Sequence, residues 1–158
     1  MRIGVDGHVL NGKFQGSRTY LAELYGALLK ENPELELHFF GHWDKEKPFG
    51  KGVQYVEYLS SSRWKRLTYQ TSPLIKKYNI ELFHSTYIAP LSLPCASLLT
   101  LHDILFETDP QYFDRGLISR NKILVRRSAR KALEIHTISE YTRRNLVERY
   151  NLPEEKVT

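Results

Sequence analysis

The fold is decided by residues 2–33, which read RIGVDGHVLNGKFQGSRTYLAELYGALLKENP. The short apolar run Arg2–Asp6 predicts a β-strand, and a turn rich in glycine and asparagine follows it. From about Ser17 to Lys30 the apolar residues recur at helical spacing, so we expect a helix with Ser17 as its N-cap. Asn32-Pro33 should end this helix. The order strand, turn and helix is that of an α/β protein.

The same alternation of apolar runs and helix-period segments continues to the end of the chain. It predicts a Rossmann-like three-layer sandwich around a mainly parallel sheet. Further strands are expected at residues 35–40, 53–58, 81–84, 96–101 and 134–138. Further helices are expected at 63–78, broken or kinked at Pro73, at 116–131, and from the N-cap Ser139 to Tyr150.

Composition limits the classes of protein to which the chain can belong. Its 158 residues correspond to one domain, and 41% hydrophobic with 26% charged residues excludes a disordered chain. The net charge of +5 favours an anionic partner. A single cysteine, Cys95, predicts a reducing compartment. Because neither a signal peptide nor an apolar run of membrane-spanning length is visible, we expect a cytoplasmic protein that meets the inner face of the membrane only peripherally.

Polar side chains follow most of the predicted strands, and ligands of open parallel sheets bind beyond the carboxyl ends of the strands. The candidates are Asp6, His8, His42, His84, Ser85, Thr86, His102, Asp103, Ser139 and Glu140. The sharpest pair is His102-Asp103, which could offer a donor, an acceptor and a titratable group to a sugar or phosphate. The alternative is a structural histidine beside an aspartate that caps the next turn.

The loop before the first helix, Gly12-Lys13-Phe14-Gln15-Gly16-Ser17-Arg18, contains two glycines. Glycines let a backbone approach a ligand closely, and a helix N-terminus offers free amides to a phosphate. The loop matches neither the Walker pattern nor G-x-G-x-x-G, so by itself it is an ordinary loop between a strand and a helix. No metal-binding spacing and no G-x-S-x-G motif is present, and we expect no metal site.

A basic run occupies the predicted helix 116–131 and carries no acidic residue. Lys122, Arg126 and Arg130 share one face of that helix. Such a face is either simply solvated or contacts anionic lipid headgroups or phosphates, and the cations that would do so are Arg120, Lys122, Arg126, Arg127 and Arg130. The stretch Arg63–Arg66 places an aromatic residue among further cations. Nucleic acid is disfavoured as a partner because no nucleic-acid motif is present.

Four short motifs resemble a known family when they are taken in order. They are Gly16–Tyr20, Phe83–Thr86, Leu99–Ile104 and Thr137–Thr142, and the tail Glu148–Val157 adds to the likeness. Together they resemble the N-terminal half of retaining GT-B glycosyltransferases of family 4, which include mannosyltransferases.

The resemblance implies an enzyme of two Rossmann-like domains, a hexosyltransferase of polysaccharide biosynthesis that needs no metal or other cofactor. It would move a sugar from a nucleotide-sugar donor to a glycan or lipid-linked acceptor. Residues 1–150 would be the acceptor-side domain and residues 151–158 the start of the linker to a donor-binding domain outside this chain. The chain alone is therefore expected to be inactive. The alternative function is an autonomous basic α/β module that binds nucleic acid or an anionic membrane surface.

The resemblance also implies a role for each candidate residue. The catalytic residues would be His102 and Asp103. The donor-side residues would be Gly16, Ser17, Arg18, Ser139 and Glu140. The acceptor-side residues would be Asp6, His8, His84, Ser85 and Thr86.

Overall fold

The computed structural model describes residues 1–10, 15–43, 47–50 and 52–158. The strands in these ranges are β1 (Arg2–Asp6), β2 (Glu36–Gly41), β3 (Val53–Glu57), β4 (Leu82–Thr86), β5 (Ala96–Thr100) and β6 (Glu134–His136). These six strands form one parallel sheet in the order β3-β2-β1-β4-β5-β6. The predicted Rossmann-like α/β fold is confirmed.

Helices connect most of these strands. They are α1 (Gly16–Glu31), α2 (Arg63–Lys65), α3 (Thr71–Lys77), α4 (Leu105–Thr108), α5 (Arg115–Lys131) and α6 (Glu140–Tyr150). A π-helical turn at Arg66–Gln70 joins α2 to α3, and single 3₁₀ turns lie at Pro110–Tyr112 and Glu154–Lys156. The chain divides into two compact units: Met1–His84 with Pro90–Ala96, and Ser85–Ala89 with Ser97–Thr158.

In the first unit, successive residues of β2 point to opposite faces of the sheet and enter two separate cores. Phe39 packs with Leu21 and Tyr25 of α1, whereas Phe40 packs with Ile75 of α3. All five of these side chains are buried. The helices therefore cover both faces of this part of the sheet, as a parallel sheet requires.

In the second unit, β5 pairs with β6, and a single bridge joins Ile135 to Val157. Leu99, Ile135 and Val125 of α5 meet Leu146 of α6 in a core that excludes solvent. Ser139 is the N-cap of α6, because its side chain accepts a hydrogen bond from Thr142 N. The prediction for this helix is confirmed at both ends.

Three sequence predictions need correction. The N-cap of α1 is Gln15 and not Ser17, since Gln15 has an extended backbone and its carbonyl oxygen accepts from Arg18 N and Thr19 N. The helix predicted at 63–78 is irregular at the π-helical turn before Pro73, not at Pro73 itself. A widened turn suits this place because proline cannot donate a backbone hydrogen bond into the preceding turn.

The third correction concerns β4, which continues through Thr86 rather than ending at His84. His84, Ser85 and Thr86 therefore lie inside the strand and are all buried, instead of following its end. The short helix α4 and the 3₁₀ turn after it were not predicted. The loop residues Gly12, Lys13 and Phe14 lie outside the described residues.

Candidate functional site

The first unit places a charged cluster at the carboxyl end of β1. Asp6, the last residue of this strand, is only 1% exposed. Its carboxylate forms an ion pair with Arg66 Nη1 and lies 3.0 Å from His8 Nδ1. Arg66 comes from the π-helical turn, 60 residues further along the chain. We refer to these three residues as the Asp6 cluster.

The electrostatics of the Asp6 cluster keep its carboxylate ionised. Burial by itself would raise the pKa of Asp6, but the charge of Arg66, followed by His8, outweighs burial and lowers this pKa to about 2. Because an ionised carboxylate accepts hydrogen bonds, His8 Nδ1 must carry the ring proton. Arg66 Nη1, 3.1 Å from His8 Nδ1, is then a second donor that converges on the same carboxylate.

In the neutral imidazole, a proton on Nδ1 leaves a lone pair on His8 Nε2. The His8 side chain is 36% exposed, whereas the side chains of Asp6 and Arg66 are almost completely enclosed. The opposite charges of Asp6 and Arg66 balance each other. The cluster can therefore accept a hydrogen bond from a neutral hydroxyl group, and it has no excess positive charge for a phosphate.

The Trp43 ring packs against Gly41 at the carboxyl end of the sheet, where a larger residue than glycine would collide with it. A Cβ atom on Gly41, the last residue of β2, would lie 2.8 Å from the Trp43 ring. The indole nitrogen of Trp43 also donates to Val56 O at 3.3 Å. The glycine thus allows the ring to approach the end of β2.

His84 has a different environment in the first unit. It is 1% exposed, and its Nδ1 lies 2.7 Å from the hydroxyl oxygen of Tyr25. Burial raises the pKa of Tyr25, so this hydroxyl stays protonated and donates to His84. His84 is a buried, hydrogen-bonded residue in this unit, and its acceptor-side role stays a prediction.

The predicted donor-side residues of the first unit lie at the start of α1. Gly16 is exposed, and no described residue beyond its own chain neighbours and helix backbone comes within 4 Å of the place that its Cβ would take. Ser17 and Arg18 are half-buried in the first turn of the helix. Their proposed contact with a donor stays a prediction.

In the second unit, His102-Asp103 follows β5 closely. Asp103 Oδ1 accepts from Leu105 N at 3.1 Å, and Oδ2 accepts from the Tyr87 hydroxyl at 2.8 Å. The aspartate thus caps the turn that leads into α4, the alternative that the sequence left open. Thr142 Oγ1 donates to His102 O at 3.1 Å, which ties this segment to the start of α6.

The His102 imidazole is half-buried. Burial lowers its pKa, and the charge of Asp103 offsets part of this shift. The ring is therefore neutral at pH 7. It packs in an edge arrangement against the Tyr87 ring, with the two centroids 5.8 Å apart.

Tyr87 is a residue that sequence reasoning missed. Its φ of 60° is uncommon for a side chain of this size, and strained backbone of this kind clusters at ligand sites. The conformation directs its hydroxyl to Asp103. Just before it, Ser85 and Thr86 are buried, and Ser85 Oγ has no hydrogen-bond partner among the described residues. No motif in the sequence marks Tyr87.

The start of α6 contributes the remaining predicted residues of the second unit. Ser139 caps the helix, while the exposed Glu140 pairs with Arg143 and Arg144 at 2.9 Å each. The hydrogen bonds to these two arginines lower the pKa of Glu140. Both residues have local structural roles, and a contact with a donor stays a prediction.

The basic helix α5 does not present a uniform cationic face. Arg126 Nη2 lies 3.2 Å from Oε2 of Glu107, whose side chain is 5% exposed. The Arg126 guanidinium also lies 5.0 Å from the centre of the Tyr150 ring. Arg126 shares a helix face with Lys122 and Arg130, but it is not a purely solvated cation, because it pairs with a buried carboxylate. A contact of this face with lipid stays a prediction.

Membrane spans and metal clusters are both absent from the described residues. No helix there is both long and apolar enough to cross a bilayer. No group of three or more histidine, cysteine, aspartate or glutamate side chains in those ranges could hold a metal ion.

Comparison with known proteins adds one positive finding. The family model of Glycosyltransferase Family 4 matches residues 14–158. Among curated proteins, nothing matches the chain.

Proposed function

The chain belongs to glycosyltransferase family 4, and on that premise we propose that it is the acceptor-side domain of a retaining hexosyltransferase. Residues 1–150 form this domain, and residues 151–158 begin the linker to a domain that binds the nucleotide-sugar donor. The enzyme works at the cytoplasmic face of the membrane on a glycan or lipid-linked acceptor. The observation that supports this proposal best is the Asp6 cluster at the carboxyl end of β1.

The Asp6 cluster supports an acceptor site because its chemistry suits a hydroxyl group. Transfer of a sugar needs the acceptor hydroxyl held close to the reacting carbon, and such positioning supplies much of the rate enhancement. His8 Nε2 accepts a hydrogen bond from that hydroxyl. Asp6 fixes the tautomer of His8, and Arg66 keeps Asp6 ionised. Asp6 and Arg66 are thus positioning residues that act through His8.

In the second unit, we assign His102 to the donor sugar. Its neutral imidazole donates or accepts one hydrogen bond with a sugar hydroxyl. Asp103 acts by holding Tyr87 and the start of α4, so it positions the segment that carries His102. Ser85 and Thr86, buried in β4, keep the acceptor-side assignment.

The remaining assignments follow the family. Gly16, Ser17 and Arg18 at the start of α1, and Ser139 and Glu140 at the start of α6, belong to the donor side. His84 supports the acceptor side from inside the first unit. The chain alone is inactive, because the diphosphate and nucleoside of the donor are bound by the other domain.

The test is a donor screen with the protein that carries both domains and, in parallel, with this chain alone. UDP-, GDP- and ADP-hexoses are incubated with each protein and a glycan or lipid-linked acceptor, and release of nucleoside diphosphate is followed. The anomeric configuration of the product is read by NMR. We expect release and retention only with the two-domain protein, and sustained turnover by the chain alone would contradict the proposal.

Two variants of the two-domain protein sharpen this test. His102→Ala should lower turnover about 100-fold, the usual effect of removing one preorganised hydrogen bond to a reacting group. His136→Ala is the matched control, since His136 is a half-buried histidine of β6 whose Nε2 lies 3.2 Å from Glu134 Oε1. Equal turnover in the two variants would remove His102 from the site.

A further inference from the structure

The segment that leads from β3 into the π-helical turn exposes three large apolar side chains. Leu59 is 96% exposed, Trp64 55% and Tyr69 58%. Side chains of this size are normally withdrawn from water, and exposed groups of them mark interaction sites. We call Leu59, Arg63, Trp64, Lys65 and Tyr69 the Trp64 surface.

The backbone of this segment separates a buried side from an exposed side. Arg66, Leu67 and Gln70 are buried, whereas Trp64 and Tyr69 are exposed. Trp64 belongs to α2 and Tyr69 to the π-helical turn, and both rings are exposed to solvent.

The charge around these rings has one sign. Between Glu57 and Glu81 the sequence contains five cations and no acidic residue: Arg63, Lys65, Arg66, Lys76 and Lys77. Arg66 is balanced by Asp6. The other four cations are all exposed. The exposed aromatic residues therefore lie in a segment with a strong excess of positive charge.

We propose that the Trp64 surface docks on the anionic face of a lipid bilayer. Tryptophan and tyrosine favour the boundary between headgroups and acyl chains, because one end of each ring is polar and the body is apolar. Exposed lysine and arginine residues contact anionic headgroups at the same depth. The proposal needs no sugar transfer, and it assigns the bilayer to this surface instead of α5, which contains no aromatic residue.

The same turn connects the Trp64 surface to the Asp6 cluster. Trp64 points to solvent, and Arg66, two residues later, reaches the buried Asp6 carboxylate. A bilayer on the Trp64 surface would therefore lie beside the carboxyl end of β1. An acceptor that is anchored in lipid could reach His8 from this side.

Vesicle flotation tests the proposal with the 158-residue chain in the absence of donor and acceptor. The vesicles contain either phosphatidylcholine alone or equal parts of phosphatidylcholine and phosphatidylglycerol. We expect binding to the anionic vesicles, accompanied by a blue shift of tryptophan fluorescence. The double variant R63Q/K65Q should bind roughly 30-fold more weakly, since each cation near such a surface contributes about fivefold. The variant W64S/Y69S should lose the blue shift.

The matched control is K122Q/R130Q, which removes two exposed cations from α5. It should bind as the unchanged chain does. All four side chains of the test variants are exposed, so the far-UV circular dichroism should stay the same. Absence of binding to anionic vesicles, or an equal loss in the control, would overturn the proposal. So would binding of an oligonucleotide, without vesicle binding, that R63Q/K65Q abolishes.

Discussion

Arg66→Met tests the electrostatics of the Asp6 cluster directly. Methionine keeps an unbranched apolar stem in the buried position and removes only the charge and the hydrogen bonds. Asp6 then keeps its buried carboxylate without the cation that balances it. Burial, the largest single influence on the pKa of Asp6, raises this pKa and is then opposed only by His8.

The magnitude follows from the pKa of Asp6. This pKa falls from 3.8 to about 2 on folding, and each unit corresponds to 1.36 kcal/mol, so ionised Asp6 contributes about 2.4 kcal/mol at neutral pH. Because the pKa is lowered, the contribution is complete well above pH 3.8 and is lost as the pH falls towards 2. Removal of one partner of a buried ion pair costs about 3–5 kcal/mol, since the remaining charge is uncompensated.

The assay is urea unfolding followed by far-UV circular dichroism at about pH 7 and about pH 4.5. Arg66→Met should lower the free energy of unfolding by about 3–5 kcal/mol at neutral pH. The loss should be smaller at the lower pH, because a carboxyl group with a raised pKa becomes neutral there. Arg63→Met, at an exposed position three residues earlier, is the control and should change little. A loss below about 1 kcal/mol, or the same loss at both pH values, would refute this account.

Three further predictions concern single contacts. In the two-domain protein, kcat/KM for the donor should fall on the acid side of pH 6.5, as His102 becomes charged. D103N should move this fall to lower pH, because Asp103 raises the pKa of His102. A shift of the fall to higher pH would contradict the assignment of His102. Ser139→Ala should lower the free energy of urea unfolding by about 1 kcal/mol, because α6 loses its N-cap. An unchanged urea midpoint would contradict this role of Ser139. Tyr25→Phe should lower the free energy of unfolding by about 1–3 kcal/mol, because the buried His84 Nδ1 loses its donor. Unchanged thermal and urea midpoints would contradict this prediction.

The elements of this fold follow from local patterns. The run Arg2–Asp6 is a strand because its apolar residues suit a buried parallel sheet, and Ser139 caps α6 because its hydroxyl lies where the first turn needs an acceptor. These signals lie within a few residues of the structure that they predict. The alternation of strands and helices can therefore be predicted from the local sequence, without knowledge of long-range contacts.

The parts that could not be predicted depend on contacts between distant residues. Asp6 and Arg66 are 60 positions apart, and nothing near either of them indicates the other. Arg126 belongs to a basic run that predicts a solvent-exposed helix face, but in the structure it forms an ion pair with Glu107 of another helix. Only the packed structure shows which of several similar charges is buried with a partner. Local pattern thus found Asp6 and His8 as candidates but missed Arg66, which determines their chemistry.

Steady-state transfer with the two-domain protein, the donor that the screen identifies and a glycan or lipid-linked acceptor tests whether His8 receives the acceptor hydroxyl. His8→Ala should lower kcat/KM for the acceptor about 100-fold and leave KM for the donor unchanged. His136→Ala, in β6 beside Glu134, should match the unchanged enzyme. An unchanged kcat/KM for the acceptor in His8→Ala, or an equal loss in His136→Ala, would contradict the role of His8.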